Sequence, residues 1–285
     1  MVGRRRELEL VLAALGAGRH ILLEGPPGTG KSTLLRAVAD EMQLGFAFVE
    51  GNAELTPARL IGHFDPSRVL AEGYSPDVFV DGPLVSALRD GALLYIEEIN
   101  RIPEETLNVL VTVMSEREIH IPRLGRVAAA PGFRLVAAMN PFDAVGTARI
   151  SSAVYDRVCR LAVGYQDADD ECAVVAREAA SANADATWVA KVVEVVRRTR
   201  THTDLRIGSS VRGAIDTALV ASSLAVLREA NPTDNDIGID AALVSLSGRV
   251  RLREGVTRSS EDIVTEIWDA VFAAPADTGG DPGKA

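Results

Sequence analysis

Gly25-Pro26-Pro27-Gly28-Thr29-Gly30-Lys31-Ser32 is the stretch from which the rest of the chain is read. It fits G-x-x-x-x-G-K-[ST], a loop that wraps phosphate. Glycines let the backbone turn its N–H groups inward onto an anion. Lys31 is then placed to reach β- and γ-phosphates, the Ser32 hydroxyl to ligate Mg²⁺, and Thr33 to extend the same phosphate-facing turn. The flanks suit this reading. Ile21-Leu22-Leu23 reads as a buried strand, and residues 32–41 as a helix with Leu34, Leu35 and Val38 on one face. Such a helix aims the positive end of its dipole at the phosphate. A plain strand-to-helix turn does not need Lys-Ser after its last glycine.

The bulk composition narrows the class. At 285 residues, one large domain or two modest ones are expected, and a hydrophobic fraction of 47% supports a real core. The net charge of −10 makes a poor non-specific nucleic-acid binder, since such binding rests on phosphate neutralisation. Arg4-Arg5-Arg6 is the one dense basic run and reads as a solvated helix start with an acidic neighbour to offset it. Cys159 and Cys172 lack metal-site or redox spacing, which points to reduced thiols and a cytoplasmic chain. No N-terminal signal-peptide pattern is present, and the apolar run at 213–227 is broken by Asp216, so no membrane span is expected.

Along the chain, residues 5–15 predict a helix with Leu8, Val11, Leu12 and Leu15 on one stripe. Strands are predicted at 21–23, 46–49, 93–96, 133–138 and 158–163. Helices are predicted at 32–41, 84–88 and 104–116, with a hairpin at 119–127 and a short helix capped by Ser152. Residues 51–82 show weak periodicity, with Pro57, Pro66, Pro76 and Pro83 acting as breakers. Alternating strands and helices imply an α/β fold, a doubly wound parallel sheet covered on both faces. After Gln166 the pattern is helical, at 169–180, 187–200, 209–229, 234–252 and 260–272, the last beginning with capping-box spacing at Ser259-x-x-Asp262. The expected division is a nucleotide-binding domain at 1–165, an all-helical lid at 166–273 and a disordered tail at 274–285.

Glu97-Glu98 ends a buried strand, where open α/β sheets bind ligands. There the first acid orients a metal-bound water and the second takes a proton from the attacking water. An exposed acidic pair opening a loop has the same appearance. Asn140 ends another buried strand, where an amide can orient water without repelling phosphate; an Asn-Pro turn accounts for it equally. Arg157, in Asp156-Arg157-Val158, reads alone as a surface residue. Arg212 starts a helix, where a cation opposes the dipole and an anionic partner would explain it.

Taken in order, residues 25–32, Glu97-Glu98-Ile99-Asn100-Arg101, Asn140-Pro141, Asp156-Arg157 and Gly208-x-Ser-x-Arg212 resemble the P-loop AAA+ ATPases of the MoxR family, within the helix-2-insert clade. The resemblance runs from Val2 to about Trp268. It implies Mg²⁺-dependent ATP hydrolysis by a ring, in number a hexamer, of self-associated subunits. It also implies a von Willebrand factor A partner, with assembly or activation of other complexes as the task. It implies roles as well: Val2 and Gly3 near adenine, Ser32 and Glu97 at the metal, Glu98 as catalytic glutamate and Asn140 as sensor 1. Arg157 would be the arginine finger given to a neighbour, with Arg149 next in line, and Arg212 sensor 2. Residues 74–82 resemble the helix-2 insert and 118–132 the pre-sensor hairpin. The family has Asp where this chain has Glu97. The extra methylene is expected to loosen the octahedral Mg²⁺ shell, slowing turnover or favouring Mn²⁺. Since the resemblance starts at Val2, no N-terminal substrate domain is expected. Two other readings stay open, a nucleotide-gated scaffold with little turnover and an MCM-like nucleic-acid motor, which the acidic charge disfavours.

Overall fold

The computed structural model describes residues 2–141, 150–182 and 184–273. The predicted tail at 274–285 lies outside them. The chain divides into two compact units, Gly3–Gly164 and the residues from Tyr165 on, with Val2 grouped in the second.

In the first unit five strands form one sheet: β1 (His20–Glu24), β2 (Phe46–Glu50), β3 (Leu93–Glu97), β4 (Arg134–Met139) and β5 (Val158–Ala162). Their order is β2-β3-β4-β1-β5, and every pair is parallel. Side chains alternate across a strand, so each strand feeds two cores. Ile21, Leu23, Leu93, Tyr95, Val136 and Ala138 pack with Val11, Leu15, Leu34, Leu35 and Val38. These last belong to α1 (Arg5–Gly16) and α2 (Lys31–Glu41). Leu22, Leu94, Ile96, Leu135 and Ala137 face the other way, onto Leu84, Leu88, Leu107, Leu110 and Val113. These come from α3 (Pro83–Asp90) and α4 (Glu104–Glu116). β1 is buried along its whole length, as a central parallel strand must be. β2 is an edge strand in which Val49 alone is buried, so its apolar letters do not mark a covered strand.

Residues 51–82 are more ordered than their weak periodicity predicts. Each proline read as a breaker is instead the first residue of a helix: Pro57–Ile61, Pro66–Glu72, the single 3₁₀ turn Pro76–Val78, and α3. A proline at that position gives up an N–H that no helix bond would use, and its fixed φ suits the helix. Thr56 and Asp65, just ahead of two of them, cap the first turn with their side chains. Gly62–Phe64 pairs antiparallel with Phe79–Asp81 around the Pro66–Glu72 helix, so the ordered structure in this stretch extends beyond residues 74–82. The expected hairpin is Glu118–Ile121 against Gly125–Ala128, turning through left-handed Arg123 and Gly125. The short helix Ser152–Tyr155 is preceded by Ser151, not capped by Ser152.

The second unit contains α5 (Ala168–Glu178), α6 (Ala186–Thr199), α7 (Val211–Arg228), α8 (Asn235–Leu246) and α9 (Ser260–Phe272). Its core is centred on Trp268, whose indole N–H donates to Asn235 Oδ1 at 2.9 Å. The capping box at Ser259 and Asp262 forms in full. The helix predicted through 252 stops at Leu246, and Arg251–Leu252 then pairs antiparallel with Leu205–Ile207, a small sheet absent from the sequence reading.

His20 opens β1 and is a buried imidazole whose Nδ1 accepts the Leu135 N–H at 2.9 Å. Burial, then the nearby charges of Arg134, Arg117 and Arg19, lower its pKa from 6.5 to about 4. Between those values the unfolded chain binds a proton that the folded chain does not, so stability falls as pH drops from about 6.5 to 4. The loss attributable to this ring is about 3 kcal/mol. His20→Asn keeps an acceptor but cannot titrate. Urea unfolding from pH 7 to 4 should show the parent losing that much more stability than the variant; parallel pH curves would contradict the assignment.

Candidate functional site

β3, β4 and β1 are consecutive in the sheet, so Glu97, Asn140 and Gly25 leave it side by side at the carboxyl edge. The Gly25 N–H donates to Met139 O at 3.1 Å. A Cβ at Gly25 would lie 2.0 Å from Val163 O, so only glycine lets the loop leave β1 here. Gly28 and Gly30 take left-handed φ values of 72° and 79°, and Gly30 is the N-cap of α2. This geometry turns successive N–H groups toward one point at the helix N-terminus, a place that favours phosphate. Lys31 is buried and its ammonium donates to the carbonyls of Gly25 (3.0 Å) and Pro26 (2.9 Å). The Thr29 hydroxyl also donates to Pro26 O, at 3.0 Å.

Arg4 is not the solvated residue its run suggests. It is 6% exposed, pairs with Glu7 at 2.9 Å and donates to Thr29 O at 3.0 Å and Gly164 O at 2.6 Å. The expected acidic neighbours are therefore Glu7, and Glu9 for Arg5. Gly3 precedes this anchor, and the Val2 carbonyl accepts from Gln166 Nε2 at 2.8 Å.

The two residues predicted to manage a metal meet. Ser32 Oγ donates to Glu97 Oε1 at 3.2 Å, and Tyr95 Oη lies 3.3 Å from the same Oγ. Alternation along β3 puts Tyr95 and Glu97 on the face covered by α2, which is why they reach Ser32. A hydroxyl and one carboxylate are hard oxygen donors, a set that suits Mg²⁺ held jointly with phosphates. Among the described residues there is no group of three or more His, Cys, Asp or Glu side chains that would hold a metal without phosphate.

Glu98 follows in left-handed conformation, φ 54° and ψ 44°, and its Oε2 pairs with Arg101 Nε at 3.2 Å. A non-glycine residue there is uncommon and redirects the side chain away from the strand's alternation. Asn140 sits next to buried Asn100, whose Nδ2 lies 3.5 Å from Asn140 O. Arg157 is elsewhere. It precedes β5, whose Val158 pairs with His20 at the amino end of β1, and it donates to Ser115 Oγ and Ala153 O. Along five strand residues that is roughly 13 Å from the phosphate loop. Arg149 lies outside the described residues. Arg212 belongs to the second unit and is exposed in the first turn of α7. Gly208, four residues before it, passes so close to α6 that a Cβ would sit 2.5 Å from Arg200 N. Arg200 in turn pairs with buried Glu171 at 2.8 Å, stacks on Tyr165 at 3.9 Å and donates to Ser209 O.

Tyr95, Gly51 and Glu24 were missed by sequence reading. Glu24 is buried just before the loop, accepting from Tyr155 Oη at 2.9 Å and from Arg160. Tyr95 had a signal, two residues before Glu97 and therefore on its face. Gly51 and Glu24 had none beyond position, at the ends of β2 and β1.

Residues 20–158 match the family described as AAA domain (dynein-related subfamily). An uncharacterized Staphylococcus epidermidis protein is 37% identical over 153 residues, 53% of this chain and 57% of that protein. One from Staphylococcus aureus is 37% identical over 159 residues, 55% of this chain and 60% of that protein. The aligned part is thus under two thirds of the length of these relatives. A solved Cytophaga hutchinsonii protein whose description proposes an ATPase aligns with a TM-score of 0.53 at 21% identity, over 94% of this chain and 89% of that one. The Thermotoga maritima RuvB Holliday junction branch migration motor aligns with a TM-score of 0.56 at 19% identity, over 85% and 70%. At these identities the likeness is one of fold, and the fold is that of the AAA+ P-loop proteins.

Gly51 donates its N–H to Glu97 O at 2.7 Å, and a Cβ on it would lie 2.5 Å from Glu98 O and 2.7 Å from Glu97 O. Gly51→Ala must push the Glu97-Glu98 backbone away and should cost about 1–3 kcal/mol. Gly16→Ala, where a Cβ meets nothing within 4 Å, should be neutral or stabilising. Urea unfolding of both variants checks this; equal stabilities would show that the β2–β3 approach is not tight.

Proposed function

We propose that this chain is a Mg²⁺-dependent ATPase of the ring-forming AAA+ kind. The observation that carries the reading is the Ser32–Glu97 contact beside a phosphate loop, with Glu98 and Asn140 leaving adjacent strand ends. In this reading Gly25, Pro26, Pro27, Gly28, Thr29, Gly30, Lys31, Ser32 and Thr33 hold the phosphates, and Val2 and Gly3 lie toward the base. Ser32 and Glu97 hold Mg²⁺. When bound there, the ion would offset the negative charge of the phosphates. Lys31 exchanges its two loop carbonyls for phosphate oxygens, so the loop is already closed around the position the anion takes. Glu98 takes the proton of the attacking water, and its left-handed backbone holds that carboxylate apart from Glu97. Asn140 orients the water. Arg212 is assigned the sensor-2 role, and residues 166–273 the lid role, that the resemblance implies.

The separation of Arg157 from the phosphate loop of its own subunit supports a role in trans, since an arginine side chain cannot span roughly 13 Å. A finger shared between subunits needs a head-to-tail contact, and such contacts close into rings. The resemblance to MoxR proteins, and the wide insert at Gly62–Asp81, support a cytoplasmic remodelling ATPase that self-assembles, in number a hexamer, and works with a von Willebrand factor A protein on a further complex. Among the described residues no helix is long and apolar enough to cross a membrane. The net charge of −10 stands against a nucleic-acid motor.

Two outcomes are expected. Lys31→Ala should lose ATP binding, whereas Glu98→Gln should bind ATP and release no phosphate, because an amide cannot take the proton. Calorimetric titration and steady-state phosphate release separate the two; undiminished ATP affinity in Lys31→Ala would remove the loop's assignment. Arg157→Ala should bind ATP but turn it over about 10³-fold more slowly. Mixed with Glu98→Gln subunits it should regain activity, most at intermediate ratios, because some sites then combine Glu98 with a neighbour's Arg157. No recovery in rings shown by light scattering to exchange subunits would exclude Arg157 as the finger.

A further inference from the structure

Tyr95 has no part in the reading above, yet its side chain is fully buried and lies against the metal pair. Its ring is fixed by the edge strand, with Phe46 and Phe48 of β2 at centroid distances of 6.0 and 5.6 Å. Its hydroxyl therefore has one place to be, 3.3 Å from Ser32 Oγ. A serine hydroxyl has one proton and two lone pairs. Ser32 gives its proton to Glu97 Oε1, so the proton between the two hydroxyls comes from Tyr95. That uses one lone pair of Ser32 and leaves the other for a cation.

We infer that Tyr95 is the positioning residue of the metal pair: it orients the free lone pair of Ser32 and, through Ser32, holds the Glu97 carboxylate, and so sets how strongly a bound nucleotide takes up Mg²⁺. The inference rests on the reading of Ser32 and Glu97 as the metal-holding pair. It also answers the question raised by the longer acid at Glu97. A free glutamate would loosen an octahedral shell, but this one is tied to Ser32 at 3.2 Å, and Ser32 to Tyr95. Aspartate would draw the carboxylate back by about 1.5 Å, one C–C bond, and break the chain of contacts. The site is built around glutamate, the reverse of the loosening expected from the sequence.

The test is binding of a fluorescent ATP analogue at rising Mg²⁺ in the parent chain, Tyr95→Phe, Ser32→Ala and the double variant. Phenylalanine preserves the ring packing. Affinity without Mg²⁺ should stay within about 2-fold of the parent in Tyr95→Phe, while the Mg²⁺ concentration giving half of the enhancement rises about 10-fold, the loss of one hydrogen bond to a charged pair. In the Ser32→Ala background the same change should do nothing more. An unmoved Mg²⁺ midpoint in Tyr95→Phe, or the same shift with Ser32 already removed, overturns the inference while leaving the ATPase reading intact. A parent chain that binds the analogue without regard to Mg²⁺ overturns that reading and the inference with it. Glu97→Asp is the independent arm and does not depend on Tyr95→Phe folding: it should weaken Mg²⁺ uptake, and a strengthened uptake would overturn the inference.

Discussion

The contact between Ser32 on α2 and Glu97 at the end of β3 depends on the phase of one strand. In β3 the even-spaced residues Leu93, Tyr95 and Glu97 share the face that α1 and α2 cover, and Leu94 and Ile96 share the other. A slip of one residue would turn Glu97 to the wrong core and put Ile96 against Ser32. The register is held from both sides, by Phe46–Glu50 paired one-to-one with Leu93–Glu97 and by Leu93–Ile96 paired with Arg134–Ala137. Two filled cores and two neighbouring strands thus fix where a carboxylate stands relative to a hydroxyl 65 residues away in sequence.

Much of this was legible because it is local. Lys31-Ser32 after a glycine, a buried strand ahead of it and a helix behind it are written within about twenty residues, and the structure has all three. The capping box at Ser259 likewise needs only a four-residue window. The prolines of residues 51–82 show how a local signal can be read with the wrong sign. Thr56-Pro57 and Asp65-Pro66 are cap-plus-first-residue pairs, and reading proline only as a breaker hid two helices. Through-space constraints were not legible. Arg4 joins Thr29 and Gly164, partners 25 and 160 residues away, and Gly51 is required by a backbone approach from Glu97-Glu98. No periodicity or spacing records such contacts.

The sheet also separates two kinds of chemistry. Its carboxyl edge gathers the phosphate loop, Glu97-Glu98 and Asn140; its amino edge carries His20, held neutral by burial, and Arg157, tied to Ser115 and Ala153. A parallel sheet cannot bring both edges to one ligand. The proposed ring is the geometry that would let Arg157 act on the nucleotide of a neighbouring subunit.

The central claim is that Ser32 and Glu97 form a metal site that phosphates must complete. Electron paramagnetic resonance of Mn²⁺ titrated into the chain, with and without ATP, tests this directly. The account predicts one bound Mn²⁺ per chain when ATP is present, little uptake without it, and loss of that ion in Ser32→Ala. Mn²⁺ bound equally well without ATP, or retained in full by Ser32→Ala, would contradict it.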